Sequence, residues 1–305
     1  MEILVFGAGS LGSLVGGLLA RAHDVTLVGR DPHVAAVTDD GLRITGVESV
    51  DVRPAATTDP AGASADLALV TVKAYDTEAA ARTLATGDYD AVCSLQNGMG
   101  NEDVLADAVD APVLAGTATY GARLVDPGHV EWTGRGTITV GAWRPADGTT
   151  TADRVAAAFR AADLDAAATA DIRTRLWEKL AVNAAINPVT ALSRVENGAL
   201  TERPLAALAR TAAVETAGVA RAEGAALDDG TARDAAETVA RETARNRSSM
   251  LQDVARGRRT EVDAINGYVV DRAAATGTSA PINRTLTDLI RGWEAGAGVR
   301  PPGHE

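Results

Sequence analysis

A glycine-rich turn close to the start of the chain limits the possible fold more than any other feature of the sequence. Glu2–Phe6 is an apolar run typical of a buried strand, and it leads directly into Gly7-Ala8-Gly9-Ser10-Leu11-Gly12. Residues 10–21 have helical character, and residues 25–28 are typical of a second strand. Strand, turn, helix and strand in this order form a βαβ unit, whose crossover requires a parallel sheet.

The spacing of the three glycines also predicts a ligand. Gly7 permits the tight turn, Gly9 lets a pyrophosphate approach the backbone, and Gly12 lets the helix pack closely on the strand. The helix N-terminus attracts the anionic phosphates. We therefore predict that the loop 7–12, with Ala8, Ser10 and Leu11 between the glycines, binds a dinucleotide. The alternative is that the glycines are only structural.

The end of the second strand indicates which dinucleotide binds. An Asp or Glu at this place bonds the free ribose 2′-hydroxyl of NAD, but here the sequence is Val28-Gly29-Arg30. Arginine can instead chelate a 2′-phosphate with two donors, which favours NADP. Asp31 follows immediately and could face the ribose, so NAD stays open as the alternative.

The rest of the chain predicts two domains. Apolar runs at 66–72 and 91–95 alternate with helical stretches, which is typical of a doubly wound α/β sheet. Short β-like pieces over 113–142 predict the far edge of this sheet, and a helix at 151–162 with a strand at 165–170 would complete the domain. We predict a Rossmann-type α/β domain over 1–170 and an all-α domain over 171–305.

Prolines and glycines that interrupt the helical pattern are expected to divide the second domain into separate helices. We expect breaks at Pro188, Pro204, Gly224, Gly257 and Pro281, and a frayed tail over 296–305.

Composition excludes several classes of function. The net charge of −12, from 41 acidic and 29 basic residues, argues against a nucleic-acid or anionic membrane surface as partner. Only Lys73 and Lys179 are lysines, and an acidic, lysine-poor chain suits a halophile, with high genomic GC content as the alternative explanation. One cysteine and four histidines without ligand spacing exclude a disulfide framework and predict no metal site. Cys93 is expected to be a buried strand residue.

The uncharged stretch 3–20 resembles a signal peptide or membrane span at first sight. However, Glu2 precedes it in place of a basic region, and it contains five glycines. We therefore expect a soluble, cytoplasmic protein. We also expect it to act on a small molecule and to be a monomer or a homodimer.

Three groups of polar residues are candidates for chemistry. Lys73 and Asn97 each follow a predicted strand at the carboxyl edge, where ligands of such sheets bind; a solvated lysine and a turn asparagine are the alternatives. Lys179, Asn183 and Asn187 are four residues apart and form one polar helix stripe, which predicts a site or, alternatively, a polar face between domains. A third set could share one broad helix face or an ordinary charged surface: Asn246, Ser249, Asp253 and Glu261.

Together these motifs resemble the ketopantoate reductase family. The matching segments are 7–12, 72–74, 95–100, 179–183, 187–188, 196–198, 248–253, 260–263 and 265–267. Their order along nearly the whole chain makes the resemblance specific. It implies a Rossmann domain, a helical C-terminal domain, and NADPH-dependent reduction of 2-dehydropantoate to pantoate in pantothenate and coenzyme A biosynthesis.

The resemblance also implies roles for individual residues. Lys179 matches the proton donor, and Glu261 is expected to belong to the catalytic site as well as to the cofactor site. The implied cofactor contacts are Gly7, Ala8, Gly9, Ser10, Leu11, Gly12, Arg30, Lys73, Asn97, Ala122 and Glu261. The implied substrate contacts are Asn97, Asn183, Asn187, Asn197, Asn246 and Ser249. A reductase of another small 2-oxo acid and a non-enzymatic NADPH sensor are the alternatives.

Overall fold

A computed structural model describes residues 1–144 and 149–301 of the chain. It divides into two compact units. The first comprises Met1–Gln96 and Gly100–Ile172, and the second comprises Asn97–Met99 and Arg173–Glu305.

The first unit contains the strands and five of the helices described. Its strands are β1 (Glu2–Phe6), β2 (Asp24–Val28), β3 (Leu42–Gly46), β4 (Val50–Val52), β5 (Ala55–Thr57), β6 (Ser64–Ala65), β7 (Leu67–Val70), β8 (Asp88–Tyr89), β9 (Val92–Ser94), β10 (Val113–Ala118), β11 (Gly121–Asp126), β12 (His129–Gly134), β13 (Ile138–Ala142) and β14 (Ala166–Ala168). Its helices are α1 (Ser10–Leu19), α2 (His33–Asp40), α3 (Thr77–Leu84), α4 (Asn101–Ala106) and α5 (Thr149–Ala161).

Eight strands form the main sheet, in the order β14-β13-β10-β9-β7-β1-β2-β5. Neighbouring strands are parallel except for the antiparallel pair β10 and β13. Val5, Leu27 and Leu69, on the adjacent strands β1, β2 and β7, are fully buried, as expected for a parallel sheet covered on both faces. The predicted Rossmann-type doubly wound fold is confirmed.

The prediction that residues 113–142 form the far edge of this sheet is only partly right. β10 and β13 join it, whereas β11 and β12 form a second, four-stranded sheet with β3 and β4. Val130 pairs with Ile44 there, and both are fully buried. Helix α1 approaches this sheet closely because Gly17 has no side chain: a Cβ atom there would lie 2.7 Å from Leu42 Cδ2.

The described part of the second unit consists of helices and connecting segments and contains no strand, as predicted. Its helices are α6 (Ile172–Ser193), α7 (Leu205–Ala222), α8 (Asp229–Glu242), α9 (Ser249–Ala255), α10 (Tyr268–Thr276) and α11 (Pro281–Gly296), with a 3₁₀ turn at Asn197–Thr201 and a π turn at Asp263–Gly267. Among the described residues, the structure contains no helix with the length and apolarity needed to cross a membrane.

The predicted break at Pro188 is wrong, because α6 continues past it to Ser193. Proline lacks the N–H group that would bond the carbonyl of Ala184, four residues earlier. Here the side-chain Nδ2 of Asn266 donates to that carbonyl at 3.0 Å. A residue far along the chain thus replaces the missing donor and keeps the helix intact.

The expected fraying of the tail is also wrong as far as residue 301. Helix α11 ends at Gly296, but the Arg300 side chain is only 10% exposed and pairs with Glu294 and Asp263. Ion pairs made after the helix has ended therefore hold the chain in place. Residues 302–305 of the predicted tail lie outside the described residues.

Candidate active site

Two glycines of the loop 7–12 are required by the packing of the loop itself. Gly7 has a φ of +120°, and a Cβ atom there would lie 2.6 Å from the backbone nitrogen of Val72. A Cβ atom at Gly12 would lie 2.2 Å from the carbonyl oxygen of Gly7. Larger residues would therefore separate α1 from the ends of β1 and β7.

Gly9 is different, because the space beside it is open in the described part of the chain. It is exposed, and a Cβ atom there would be 4.0 Å from its nearest neighbour, the Gly7 carbonyl oxygen. Gly9 is also the N-cap of α1 and has no side chain to cap the helix. The absence of a side chain leaves the first N–H groups of α1 approachable, which fits the pyrophosphate of a dinucleotide. The loop lies at the end of β1 between β2 and β7, where the strand order reverses.

The structure separates the roles of Arg30 and Asp31. Arg30 is 88% exposed, and its guanidinium lies 3.2 Å from the carboxylate of Asp76. Asp31 accepts the backbone N–H of Ala35 at 3.2 Å and so caps α2. Because the Asp31 carboxylate bonds the first turn of α2 while the Arg30 guanidinium is largely exposed, the geometry favours Arg30 over Asp31 as the group that faces a ligand.

Lys73 belongs to the same neighbourhood. It is half-buried at the start of a 3₁₀ turn, Ala74–Asp76, and its carbonyl accepts the N–H of Asp76 at 2.8 Å. The ion pair between Asp76 and Arg30 therefore joins the ends of β7 and β2. Two cations from separate segments lie beside the edge where the glycine loop ends.

Strand β11 brings Ala122 to this edge as well. The N–H of Leu124 donates to the Ser10 hydroxyl at 3.0 Å, so β11 is attached to the first turn of α1. Ala122 is half-buried two residues earlier on the same strand. No local sequence pattern indicated this attachment.

Sequence reasoning missed a buried histidine that supports the loop. His33 begins α2 and is 6% exposed. Its Nδ1 accepts the N–H of Gly128 at 3.0 Å, so its Nε2 carries the proton and donates to the Ser13 hydroxyl at 3.0 Å. Burial lowers the pKa of His33 below its ordinary value, which favours the neutral ring that these bonds require. His33 has no other histidine at metal-ligand spacing, so nothing in the sequence indicated a metal-binding or catalytic role for it.

In the second unit, α6 carries the predicted polar stripe. Lys179 and Asn183 are half-buried, and Asn187 is 5% exposed. The helix continues past Asn187, with Asn266 bonding the Ala184 carbonyl, so all three residues of the stripe lie on one helix.

Asn266 is itself fixed in a buried polar network. It is fully buried, and its Nδ2 also donates to Asn283 Oδ1 at 2.9 Å. Asn283 Nδ2 donates in turn to the Ala212 carbonyl and to Glu215. The sequence motif 265–267 therefore supports α6 from a distance.

The structure brings Asn97 together with Glu261. Asn97 Nδ2 lies 3.4 Å from Glu261 Oε2, and the N–H of Met99 donates to the Ala264 carbonyl at 3.0 Å. Gly98 has a φ of +81°, and a Cβ atom there would lie 2.4 Å from that same carbonyl oxygen. Glycine is thus required for this close approach, which presents Asn97 to a carboxylate that is only 6% exposed.

Of the two interpretations of Asn246, Ser249, Asp253 and Glu261, the one that puts all four on a single helix face is wrong. Ser248 caps α9 by accepting the N–H of Leu251, so the helix begins only at Ser249, and Gly257, with a φ of +61°, follows its end. Asn246 precedes the helix and Glu261 lies in the irregular segment after it. These capping residues override the helical spacing on which the prediction depended.

Asn197 and Asn246 lie side by side at the 3₁₀ turn. The N–H of Asn197 donates to the Asn246 carbonyl at 3.0 Å, and Asn197 Nδ2 donates to Thr243 Oγ1 at 2.8 Å. The Oδ1 atom of Asn197 is buried without a hydrogen-bond partner among the described residues. Ser249 is exposed at the first turn of α9. Asn197 Oδ1 therefore keeps an acceptor that no described residue uses.

Cys93 is the buried strand residue that the sequence predicted. It is fully buried on β9, and burial, with a smaller effect of Glu102, raises the pKa of its thiol far above the ordinary value. Over residues 1–144 and 149–301, no three His, Cys, Asp or Glu side chains are grouped as metal ligands.

The fold and this loop geometry define the class of Rossmann-type dinucleotide-binding proteins. Within it, the chain matches the family described as Ketopantoate reductase PanE/ApbA over residues 3–145, and the C-terminal domain of the same family over 171–294. It belongs to the ketopantoate reductase family, and the resemblance seen in the motifs is confirmed.

Individual relatives match over nearly their whole lengths. A 2-dehydropantoate 2-reductase of Archaeoglobus fulgidus is 45% identical over 97% of this chain and 98% of its own length. The enzyme of the same name from Halobacterium salinarum is 44% identical, over 95% of this chain and 98% of its own.

Solved structures with the same fold include a member of the same family. A ketopantoate reductase of the same family from Ralstonia eutropha superposes with a TM-score of 0.89 at 35% identity, covering 98% of this chain and 100% of its own. A D-mandelate dehydrogenase, solved with NADH and anilino(oxo)acetate, superposes with a TM-score of 0.92 at 26% identity over 98% and 100%. The family is one of NAD(P)-dependent oxidoreductases.

Proposed function

We propose that this protein reduces 2-dehydropantoate to pantoate with NADPH, the step that serves pantothenate and coenzyme A biosynthesis. The observation that carries the proposal is the polar stripe of α6, in which one ammonium, Lys179, is followed at helical spacing by Asn183 and Asn187. A buried network maintains that spacing past a proline. The names of the full-length relatives support the substrate.

The residues present fit a dinucleotide. The N-terminus of α1 and the open space beside Gly9 would hold the pyrophosphate, with Ala8, Ser10 and Leu11 supplying the loop backbone. Arg30 and Lys73 would hold a ribose 2′-phosphate, because both are cations at the same edge. Ala122 would lie against the cofactor from β11. When bound, the reduced nicotinamide supplies a hydride to the substrate's carbonyl carbon.

Lys179 performs the complementary proton chemistry. As hydride arrives, the carbonyl oxygen of a 2-oxo acid becomes an alkoxide, and a positioned ammonium stabilises that charge and then supplies its proton. General acid catalysis of this kind contributes typically about 10² to 10⁴ in rate. Glu261 would orient the site through its contact with Asn97, which is expected to touch both cofactor and substrate.

Neutral donors complete the substrate site in this proposal. Asn183 and Asn187 lie on the same helix face as Lys179, and Asn197, Asn246 and Ser249 lie around the start of α9. Amide and hydroxyl groups can bind the carboxylate and hydroxyl of a small 2-oxo acid without adding further charges beside the ammonium.

The second candidate function is the reduction of a different 2-oxo acid, with NADH in place of NADPH. The likeness to a D-mandelate dehydrogenase solved with NADH favours it, since the same fold then serves another acid and the other cofactor.

A kinetic panel tests the proposal. Initial rates should be measured with 2-dehydropantoate and with 2-oxo acids carrying unbranched, branched and aryl substituents, each with NADPH and NADH. We expect the highest kcat/KM for 2-dehydropantoate with NADPH. A higher kcat/KM for an aryl 2-oxo acid would support the second candidate. Absence of turnover for every acid, with intact NADPH binding, would support the sensor instead.

A further inference from the structure

The carboxylate of Glu261 stands on a segment without regular backbone bonding. Residues 258–262 lie between the end of α9 and the π turn Asp263–Gly267. The Glu261 carbonyl accepts the N–H groups of Ala264 and Ile265, whereas the N–H groups of the residues on either side of Glu261 are bonded by side chains. The neighbouring residue, Thr260, is 1% exposed and shows how this is done.

Glu294 is the group that holds Thr260. Its Oε1 accepts both the backbone N–H and the Oγ1 hydroxyl of Thr260, each at 2.7 Å. The Thr260 hydroxyl oxygen in turn accepts the N–H of Val262 at 3.2 Å. One carboxylate oxygen therefore fixes the backbone on both sides of Glu261.

A fully buried carboxylate requires compensation, and Arg300 supplies it. Glu294 is fully buried, and its second oxygen accepts from Arg300 NH1 at 2.7 Å. Removing one partner of such a pair leaves an uncompensated buried charge. Arg300 is therefore the cation that compensates the buried Glu294 carboxylate.

Arg300 also reaches the other end of the segment. Its NH2 group lies 3.0 Å from Asp263, which begins the π turn and accepts from Arg291 Nε at 2.8 Å as well. Burial acts to raise the pKa of Asp263, but the hydrogen bonds from Arg300 and Arg291 outweigh it and hold that pKa below its ordinary value. The ionised form is thus the one that the cluster stabilises.

We infer that Arg300 is a positioning residue for Glu261, acting through Glu294 and Thr260 on one side and Asp263 on the other. It lies beyond residue 294, where the match to the family's C-terminal domain ends. The inference rests on the role proposed for Glu261 in the active site. Its physical basis is that a displacement of about 1 Å at a site can cost roughly 10²-fold in rate.

Double-mutant kinetics test the inference. Arg300→Gln is made in the wild type and in Glu261→Gln, with Arg300→Lys as the conservative variant. Arg210→Gln is the matched control, because Arg210 also pairs with a glutamate, Glu237, but on the exposed surface of the same unit. For each protein, kcat and KM for 2-dehydropantoate, the Kd for NADPH and the melting temperature are measured.

We expect Arg300→Gln to lower kcat/KM by about 10-fold in the wild type and by less than about 2-fold in Glu261→Gln, because positions that act through one another are not additive. Arg300→Lys should recover part of the loss, and Arg210→Gln should leave kcat/KM unchanged. Equal losses in both backgrounds, or no loss in the wild type, would overturn the inference.

Measuring the Kd for NADPH allows the inference to be tested even if the proposed function fails. If 2-dehydropantoate is not turned over, the proposed function fails, and the Kd for NADPH then decides the inference. A Kd raised about 5-fold by Arg300→Gln only where Glu261 is present would uphold it. A Kd that Arg300→Gln leaves unchanged, or raises equally in both backgrounds, would overturn it.

Discussion

Replacing Asn266 by alanine should lower the free energy of unfolding of the helical unit. The size of this loss should depend on Pro188, which lies in α6. Asn266 Nδ2 donates to the Ala184 carbonyl at 3.0 Å and to Asn283 Oδ1 at 2.9 Å, in a fully buried position. Each buried acceptor that loses its donor costs about 1–3 kcal/mol. Because Asn266 Oδ1 has no hydrogen-bond partner among the described residues, its removal offsets part of that cost. We expect a net loss of about 2–4 kcal/mol.

The same loss should shrink when Pro188 is replaced by alanine. An alanine at 188 has an N–H group that can bond the Ala184 carbonyl, so Asn266 is then needed for only one of its two acceptors. The cost of Asn266→Ala should fall by about 1–3 kcal/mol in Pro188→Ala. Pro127→Ala, in the turn between β11 and β12 of the first unit, is the control and should leave the cost of Asn266→Ala unchanged.

Urea unfolding followed by far-UV circular dichroism measures these free energies, since the second unit is helical in its described part. Strict additivity of Asn266→Ala and Pro188→Ala would refute the reasoning, because it would mean that Asn266 does not replace the donor that proline lacks. A cost below about 1 kcal/mol for Asn266→Ala alone would refute it equally.

Three further outcomes follow from single side chains. Lys179→Ala should lower kcat by roughly 10² or more and leave the Kd for NADPH unchanged, as single-turnover kinetics and fluorescence titration would show; wild-type turnover would exclude Lys179 as the acid. Arg30→Gln should lower the NADPH-to-NADH ratio of kcat/KM by about 10-fold. The control Asp76→Asn should not lower this ratio. An unchanged ratio in Arg30→Gln would show that Arg30 does not bind the phosphate. The pKa of His33 is depressed below 6.5 in the folded state, so the unfolded chain binds the proton more readily. The contribution of His33 to stability is therefore complete above about pH 6.5 and decreases as pH falls towards the folded pKa. His33→Gln should lose this part of the pH dependence in urea midpoints measured between pH 8 and 5, and an identical dependence in both proteins would contradict it.

Features specified by neighbouring residues could be predicted from the sequence. β1 was predicted at the bounds that the structure gives, because an apolar run that ends in a glycine turn is a local signal. The helices that end near Gly224 or begin at Pro281 were predicted for the same reason. The polar stripe of α6 needed only helical spacing.

Features that depend on distant residues could not be predicted in this way. β12 pairs with β3, more than 80 residues earlier, and the sequence between 113 and 142 carries no sign of that partner. The continuation of α6 past Pro188 depends on Asn266, and the order of the tail depends on Glu294 and Asp263. In the last two cases, a side chain outside the local segment satisfies a group that the local sequence leaves open.

The two half-buried lysines give this protein an unusual chemical selectivity. Lys73 and Lys179 are the only side-chain amines in the sequence, and both are among the residues proposed to act on cofactor or substrate. Surface ion pairs such as Arg144–Asp107 and Arg154–Asp90 use arginine, which does not react with acylating reagents under the conditions that modify amines. An isotope-labelled acylating reagent would therefore mark, apart from the amino terminus, only Lys73 and Lys179. The extent of labelling at each, with and without nucleotide, would report how far that amine is shielded without the need for an introduced probe.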